Sequence, residues 1–313
     1  MDIFKTSPER EIRLIRYAIF QSIFTDKIGA RTRLPRDDAS RTSEKLNASI
    51  SILMANPLDE RLRAETISRF QAGLSDFPNS LIFQFEFARL LWVLGDKETA
   101  YRHFQQSQQL AVDGTFNPMQ ERLYFHLLGA QNEMTPYEDY YAALVKDQVS
   151  EDAHFSAGRK IIQATSDCYI GLFHLQNNDI DAGLKALRAT LETCPVHFPA
   201  ARLNAKALYG ADYPADEIAA AVYQCLSLYP PYLTELLPYV VAAEKSLDNE
   251  EAALSVVRDW AYFITRVTWL RPKEHPISEL TWQAAMNYLD RLPPKLQTTL
   301  KQRYDDWLTQ QTH

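Results

Sequence analysis

The chain has 313 residues, 46% hydrophobic and 23% charged, a globular balance that excludes a disordered or fibrous protein. With 33 basic and 40 acidic residues the net charge is −7, which argues against general phosphate-backbone binding but not against a local basic patch. Only 9 glycines occur, well under the usual ~7%, so glycine-loop α/β enzymes and turn-rich β-sandwiches are disfavoured and helices are favoured.

Taken in chain order, Ser7-Pro8-Glu9 supplies a cap residue, a first-turn proline and an early acid, which predicts a helix start. Ile12, Ile15, Ile19 and Ile23 follow at helical spacing on one stripe. Two uses of that stripe stand open. It docks on the first hairpin as a lid, or residues 12–24 enter a membrane interface or partner groove, since Arg10, Arg13 and Arg16 flank it. The interrupting arginines and the lack of a small-residue cleavage site argue against a secretory signal. No run of about 18 apolar residues occurs, so no membrane-spanning helix is expected. Residues 25–45, with Arg31, Arg33, Arg36, Arg41, Pro35 and Asp37-Asp38, lack apolar periodicity and read as an exposed linker. The expected organisation is therefore an N-terminal helix and linker over 1–45, a repeat region over 46–265 and C-terminal capping helices over 266–313.

Within the repeat region, Ala64, Ala100, Ala142, Ala182, Ala219 and Ala252 recur inside amphipathic patterns at gaps of 36, 42, 40, 37 and 33 residues. Intervals of this size mark stacked helical hairpins, each unable to bury its apolar face alone. The clearest hairpin spans 81–111. Its first helix, LIFQFEFARLLWVL, is apolar nearly all round, broken only by Gln84, Glu86 and Arg89, and must be covered on more than one side. Gly95-Asp96 ends it, and the next helix keeps Ala100, Phe104, Ser107 and Ala111 on one stripe. The pattern returns over 161–195 with the turn Asn177-Asn178-Asp179, and over 198–230 with a turn near Asp212-Tyr213-Pro214. The unit at 117–150 is degenerate, with Ala142 as its clear anchor. Trp260, Tyr262, Phe263 and Trp269 suit either core packing or a ligand groove. Thr281–Arg291 and Lys295–Gln310 predict two further helices whose polar faces suit a terminal cap.

These residues resemble the tetratricopeptide repeat family. Its small first-helix residue, inner-turn glycine or asparagine, second-helix alanine and large apolar residue fall on Ala88, Gly95, Ala100 and Phe104. In the next unit they fall on Ile170, Asn177, Ala182 and Ala186 with Pro195 closing, and in the third on Ala207, Ala219 and Tyr223 with Pro230. The family's tryptophan is absent, with Gln84, Ser166 and Leu203 in its place, and the spacing drifts from 34. The resemblance implies an all-α fold, a right-handed α–α superhelix or solenoid of about six hairpins; HEAT-like or other α–α repeats are the alternative.

Motifs for chemistry are missing. The sequence has no GxGxxG, GxxxxGK[ST], GxSxG or HExxH. One ExxH, Glu151 to His154, has no second copy to build a di-metal core. The acid pairs Asp37-Asp38 and Asp305-Asp306 lack a third carboxylate at helical spacing, so neither a metal nor a cofactor is expected. Cys168, Cys194 and Cys225 form no CxxC and sit in apolar helical contexts, which suits free thiols in a reducing, cytoplasmic compartment.

In the resembling family the first helix of each hairpin lines a concave groove. Carried onto this chain, that implies Ile82, Phe85, Arg89 and Trp92, then Tyr124, Leu127 and Gln131, then Asp167, Gly171 and His174. Asn204 and Leu208 follow, and Thr234, Leu237 and Glu244 complete the set. Of these, Phe85, Arg89, Trp92, Tyr124, Gln131, Asp167, His174, Asn204 and Glu244 are the candidate partner-binding residues. Arg89 and Asn204 are too far apart in sequence for the family's carboxylate clamp. The expected function is a non-catalytic scaffold binding a peptide or protein partner, with no nucleic acid. The alternatives are a recognition subunit of a modifying enzyme and an all-helical enzyme.

Overall fold

A computed structural model describes Leu53 and residues 59–76, 78–79, 81–113, 151–228, 232–266 and 277–311. The expected helix over 12–24, the linker over 25–45, the unit at 117–150 with Tyr124, Gln131 and Ala142, and Trp269 lie outside the described residues. Every regular element among the described residues is helical: α1 (Glu60–Asp76), α2 (Leu81–Val93), α3 (Lys97–Asp113), α4 (Glu151–Gln176), α5 (Ile180–Thr193) and α6 (Phe198–Gly210). They continue with α7 (Ala215–Leu228), α8 (Leu233–Ser246), α9 (Glu250–Arg266), α10 (Glu279–Met286), a single 3-10 turn at Leu289–Arg291, and α11 (Pro294–Gln311). The described residues form a succession of helical hairpins. It divides into two compact units at Ala200–Ala201.

The repeat is written in the backbone of four turns. Gly95, Asn178, Asp212 and Asp248 have φ of 89°, 60°, 53° and 56°, the left-handed region that glycine, asparagine and aspartate tolerate. In each turn the next residue's N–H reaches the carbonyl five residues back, the bond that closes a Schellman motif. The four bonds are Asp96 to Leu91 (3.0 Å), Asp179 to His174 (2.9 Å), Tyr213 to Leu208 (3.1 Å) and Asn249 to Glu244 (2.8 Å). The side chains of Asp96 and Asp179 then accept the N–H of Thr99 and Ala182, so one residue ends one helix and caps the next.

These turns fix the register. Seven residues before each left-handed residue stand Ala88, Gly171, Ala205 and Val241, all buried. Five residues after it stand Ala100, Gly183 and Ala253, also buried; the α6–α7 turn is one residue longer and places buried Ile218 there. The first hairpin keeps the expected Ala88, Gly95, Ala100 and Phe104. The second is shifted by one, so Gly171, Asn178, Gly183 and Leu187 replace Ile170, Asn177, Ala182 and Ala186. In the third, Ala205, Ile218 and Val222 replace Ala207, Ala219 and Tyr223. Ala64 is exposed, and Ala182 and Ala252 are only half-buried, so those alanines do not mark the helix contacts.

In the first unit, α2 is covered as its composition demands: Phe83, Phe85, Phe87, Leu90, Leu91 and Trp92 are all buried. Phe70 of α1 stacks on Phe87, their centroids 5.5 Å apart. Helix α3 packs directly on α4. Tyr101 stacks on Phe173 and Phe104 on Tyr169, at 4.3 and 4.4 Å, while the hydroxyls of Ser107 and Ser166 meet at 3.1 Å. The sequence pattern placed a worn repeat at 117–150 between these two hairpins. Their direct contact makes the hairpins of 81–113 and 151–193 neighbours, and the expected unit itself lies outside the described residues.

In the second unit, α8 packs on α7, α9 and α10. Trp260 is fully buried against Trp282, edge to face at 5.5 Å, in a core with Tyr288, Leu292, Leu296 and Leu300, while Tyr262 is exposed. The second expected terminal helix appears as α11, opened by Pro294, whereas the first, expected over Thr281–Arg291, is α10, capped by Ser278 and ending at Met286 before the separate 3-10 turn. Pro238 sits inside α8 and has no N–H to give the carbonyl of Thr234. The Thr281 hydroxyl, from α10, donates to that carbonyl at 2.9 Å in a buried site. Helix α10 thus repairs the hydrogen-bond deficit that the proline creates.

Two substitutions test these contacts by thermal or urea unfolding. An added Cβ at Gly183 would stand 2.6 Å from Leu175 Cγ and Cδ2, and Leu175 is buried. Helix propensity alone favours Gly183→Ala by about 1 kcal/mol, whereas overpacking costs ~1–3 kcal/mol, so the variant is expected to be less stable. A raised melting temperature would contradict the close approach. Thr281→Val is expected to cost ~1–3 kcal/mol by orphaning the Thr234 carbonyl. In a Pro238→Ala background, where the introduced alanine supplies a backbone N–H, the same change is expected to cost measurably less.

Candidate functional site

With the register fixed by the turns, the first-helix positions implied by the resemblance lie thirteen, ten, six and three residues before each left-handed residue. In α2 they are Ile82, Phe85, Arg89 and Trp92, as expected from sequence, although the Ile82 side chain lies outside the described residues. In α4 they become Thr165, Cys168, Leu172 and Leu175. In α6 they include Arg202, Lys206 and Tyr209, and in α8 they are Glu235, Pro238, Ala242 and Lys245.

The face in the first unit is closed by packing. Phe85 is fully buried edge-on against Phe104, and Trp92 stands edge-on to the stacked Phe104–Tyr169 pair with the Lys97 ammonium 5.4 Å from its ring. Both are core side chains, a correction to their expected place on an open groove. Their extended apolar area is satisfied by the next helices. Arg89 is nearly buried, paired with Glu86 at 3.2 Å and lying over the Phe85 ring. Cys168, Leu172 and Leu175 are buried as well.

Asp167 and His174, one register step away, serve contacts between helices. Asp167 is buried and accepts a hydrogen bond from the Gln108 side chain of α3. Burial pushes its carboxyl up to about 7. His174 is partly exposed, with Nδ1 3.2 Å from Asp179 and Nε2 3.4 Å from the Tyr101 hydroxyl, which also accepts from Gln105. An aspartate, an imidazole and a hydroxyl in line resemble a proton relay. Here the Tyr101 ring is stacked on Phe173, and the chain of bonds ties α3 to the α4–α5 turn. His197 is buried, with Nδ1 accepting the Ala200 N–H and Nε2 beside the Thr165 hydroxyl. Burial lowers it to about 4, so it is neutral at physiological pH.

The second unit presents polar chemistry on the same positions. Arg202, Lys206 and Tyr209 follow one another at i, i+4 and i+7 along α6, and Glu235 stands in the first turn of α8. Glu235 bridges the two cations: Lys206 Nζ donates to Oε1 at 2.6 Å and Arg202 Nη1 to Oε2 at 3.3 Å. The guanidinium lies 5.1 Å from the Tyr232 ring centroid. Tyr209 and Tyr239 pack beside them with centroids 4.6 Å apart. Burial first, and the charge of Glu235 second, push the Tyr239 hydroxyl up to about 12. The Arg202 and Lys206 side chains are 10% and 13% exposed while Glu235 keeps 29%, so the carboxylate is the most open member.

Asn204 and Glu244, the candidates named from sequence in this unit, lie off this strip. Asn204 is buried, its Oδ1 without a hydrogen-bond partner among the described residues. Glu244 is buried and accepts from the Tyr223 hydroxyl of α7 at 2.7 Å, a contact between helices. The candidate set therefore gathers Phe85, Arg89 and Trp92 on α2, places His174, Asp167 and Glu244 at separate helix contacts and buries Asn204; Tyr124 and Gln131 lie outside the described residues. Arg202, Lys206, Tyr209, Glu235 and Tyr239 were not singled out, though the i, i+4, i+7 spacing in α6 carries the signal.

No group of three or more potential metal ligands occurs among the described residues. The three cysteines form no disulfide and are buried, and burial pushes the thiols of Cys194 and Cys225 up to about 12, which makes them poor nucleophiles. No described helix is long and apolar enough to cross a membrane.

No known protein family matches the chain, and no curated protein matches it. Among solved structures it is similar to the crystal structure of the P58(IPK) TPR domain, at 18% identity and a TM-score of 0.36, covering 87% of this chain and 71% of that one. The hairpin assignment rests on the four turns and their buried small residues.

Asp167 gives a pH test. Its folded pKa of about 7 lies above the usual carboxylate value near 4, so the folded state holds the proton more tightly than the unfolded one. Its contribution to stability is present at low pH and is lost as pH rises from about 4 through 7. Asp167→Asn keeps an acceptor for Gln108 and removes the titration. The melting temperature of the variant relative to wild type is expected to climb between pH 4 and pH 8, whereas a flat difference would contradict the burial of this carboxyl.

Proposed function

We propose that the chain is a non-catalytic protein-interaction scaffold that receives a peptide or protein segment along the first-helix face of its hairpins. The single observation that carries this reading is the strip Arg202–Lys206–Tyr209 on α6 facing Glu235 on α8. Two cations, a carboxylate and a tyrosine are gathered there, at register positions that the first unit fills mostly with buried side chains such as Phe85, Trp92, Cys168, Leu172 and Leu175. A rigid helical face with a few fixed polar groups suits recognition of a chain segment, because the scaffold loses little conformational entropy on binding. Phe85, Trp92, Arg89, Asp167, Asn204 and Glu244 support the faces from within, by packing and helix-to-helix bonds. The hydroxyls and cations of the strip supply orientation to a partner, and no step of covalent chemistry is assigned to them.

The reading is tested with a photo-crosslinking amino acid placed at Tyr209 or Ala242 on the first helices, and at Gln224 on the exposed side of α7 as control. Irradiation of cells producing the full chain is expected to give the same adduct at Tyr209 and Ala242 and none at Gln224. Adducts at Gln224 alone, or none at any of the three, would overturn the assignment.

A further inference from the structure

We infer that α10 is a latch on α8: its docking completes the first turn of that helix, and its release lets residues 233–239 unwind with it while the later turns of α8 and α9 stay folded. The basis is where the hydrogen bonds around Thr234 come from. In an unbroken helix the Thr234 carbonyl would accept the N–H of residue 238, but that residue is Pro238, whose ring also crowds the same carbonyl. Tyr232 stands at the N-cap position, where serine, threonine, asparagine or aspartate would offer the usual capping oxygen. The front of α8 is thus weakly supported from within. It takes its missing bond from outside, from the Thr281 hydroxyl at 2.9 Å.

That donor is aimed only when α10 is wound. Ser278 Oγ accepts the Thr281 N–H at 3.2 Å as the N-cap of α10, and it meets Thr281 Oγ1 at 2.8 Å. Because the Thr281 hydroxyl proton goes to Thr234, the Ser278 hydroxyl is the donor in this pair. The bonds form one line from Ser278 through Thr281 to the Thr234 carbonyl, so winding of α10 and completion of α8 are one event. The apolar contacts agree, since Leu237 at the front of α8 shares a core with Trp282 and Ala285 of α10.

The docked state also carries a cost. Trp260 Nε1 and Trp282 Nε1, from the edge-to-face pair joining α9 and α10, are buried without a hydrogen-bond partner among the described residues. Release of α10 opens both to water. A helix of eight residues opposed by two dry indole donors is the part of this core that opens first. Glu235 lies in the turn that the latch holds, so by linkage a segment bound on the strip described above would keep α10 closed, a consequence that rests on the scaffold reading whereas the latch does not.

Amide exchange of the full chain, followed by NMR in increasing urea below the unfolding transition, tests the latch without any partner. Trp282 and Ala285 report α10, Leu237 and Tyr239 the front of α8, Ala243 its later turns and Val257 helix α9. The first four amides are expected to share one opening with a common urea dependence, and Ala243 and Val257 to exchange about tenfold more slowly or slower still. Thr281→Val is expected to speed the first four by about tenfold and the other two by less than about twofold. Thr281→Ser, which keeps the hydroxyl, is expected to stay within about threefold of wild type. With Pro238→Ala added to Thr281→Val, Leu237 and Tyr239 are expected to regain protection while Trp282 and Ala285 do not.

Leu237 and Tyr239 following Ala243 in wild type, or equal acceleration of all six amides by Thr281→Val, overturns the latch. The wild-type urea series keeps the test decisive should a variant fail to fold. Loss of the shared opening with photo-adducts at Tyr209 and Ala242 intact would remove the latch and leave the scaffold, and a shared opening without adducts would do the reverse.

Discussion

The structure depends on how closely the two helices of a hairpin approach at their inner turn. That approach needs a left-handed residue to reverse the chain and small or compact side chains on both helices just behind it. Gly95, Asn178, Asp212 and Asp248 supply the first, and Ala88–Ala100, Gly171–Gly183 and their counterparts supply the second. The first requirement is set by backbone sterics and the second by volume, so the two constrain different residues yet must agree in register. Once they agree, the outward positions of each first helix follow from the helical repeat alone. The location of Arg202, Lys206, Tyr209 and Glu235 is a consequence of the turns.

The two units solve the problem of a polar residue in a packed helix differently. In the first unit polar groups are consumed between helices: Gln108 with Asp167, Ser107 with Ser166, His103 with Gln84 at 2.7 Å. Each bond joins a buried polar side chain (Asp167, Ser107, Ser166 or Gln84) to a neighbouring helix, so the helix contacts gain specificity as well as area. In the second unit one such bond, from Thr281 to the Thr234 carbonyl, answers Pro238, which itself occupies a first-helix position. Helix α10 is therefore coupled to the helix that carries Glu235. Damage to α10 is transmitted to α8 through a defined hydrogen bond as well as through the Trp260–Trp282 contact.

Much of the fold was legible in the sequence. The apolar run Leu81–Leu94 announced a covered helix, and Gly95-Asp96, Asn178-Asp179 and Asp212 announced turns through residues that accept positive φ. The register was harder to read because alanine is small but also common on outer helix faces. Ala182 suits both roles, and only the contact of Gly183 with Leu175 separates them. The site was legible in spacing but not in identity. Trp92 and Phe85 looked like groove residues because a periodic pattern gives the direction of a side chain, not whether a neighbouring helix covers it. Arg202 and Lys206 drew no attention because ordinary solvated charges share their spacing, and their meaning depends on Glu235, about thirty residues away in sequence.

The central claim is that four Schellman turns with the same bonding set the register of the hairpins. Amide hydrogen exchange by NMR tests it at the four N–H groups that close those turns, on Asp96, Asp179, Tyr213 and Asn249. All four sit near the ends of helices, where frayed amides exchange quickly. The account predicts that each is protected to a degree comparable with the core amides of its own hairpin. Exchange at the rate of an unstructured peptide at these four positions would contradict it.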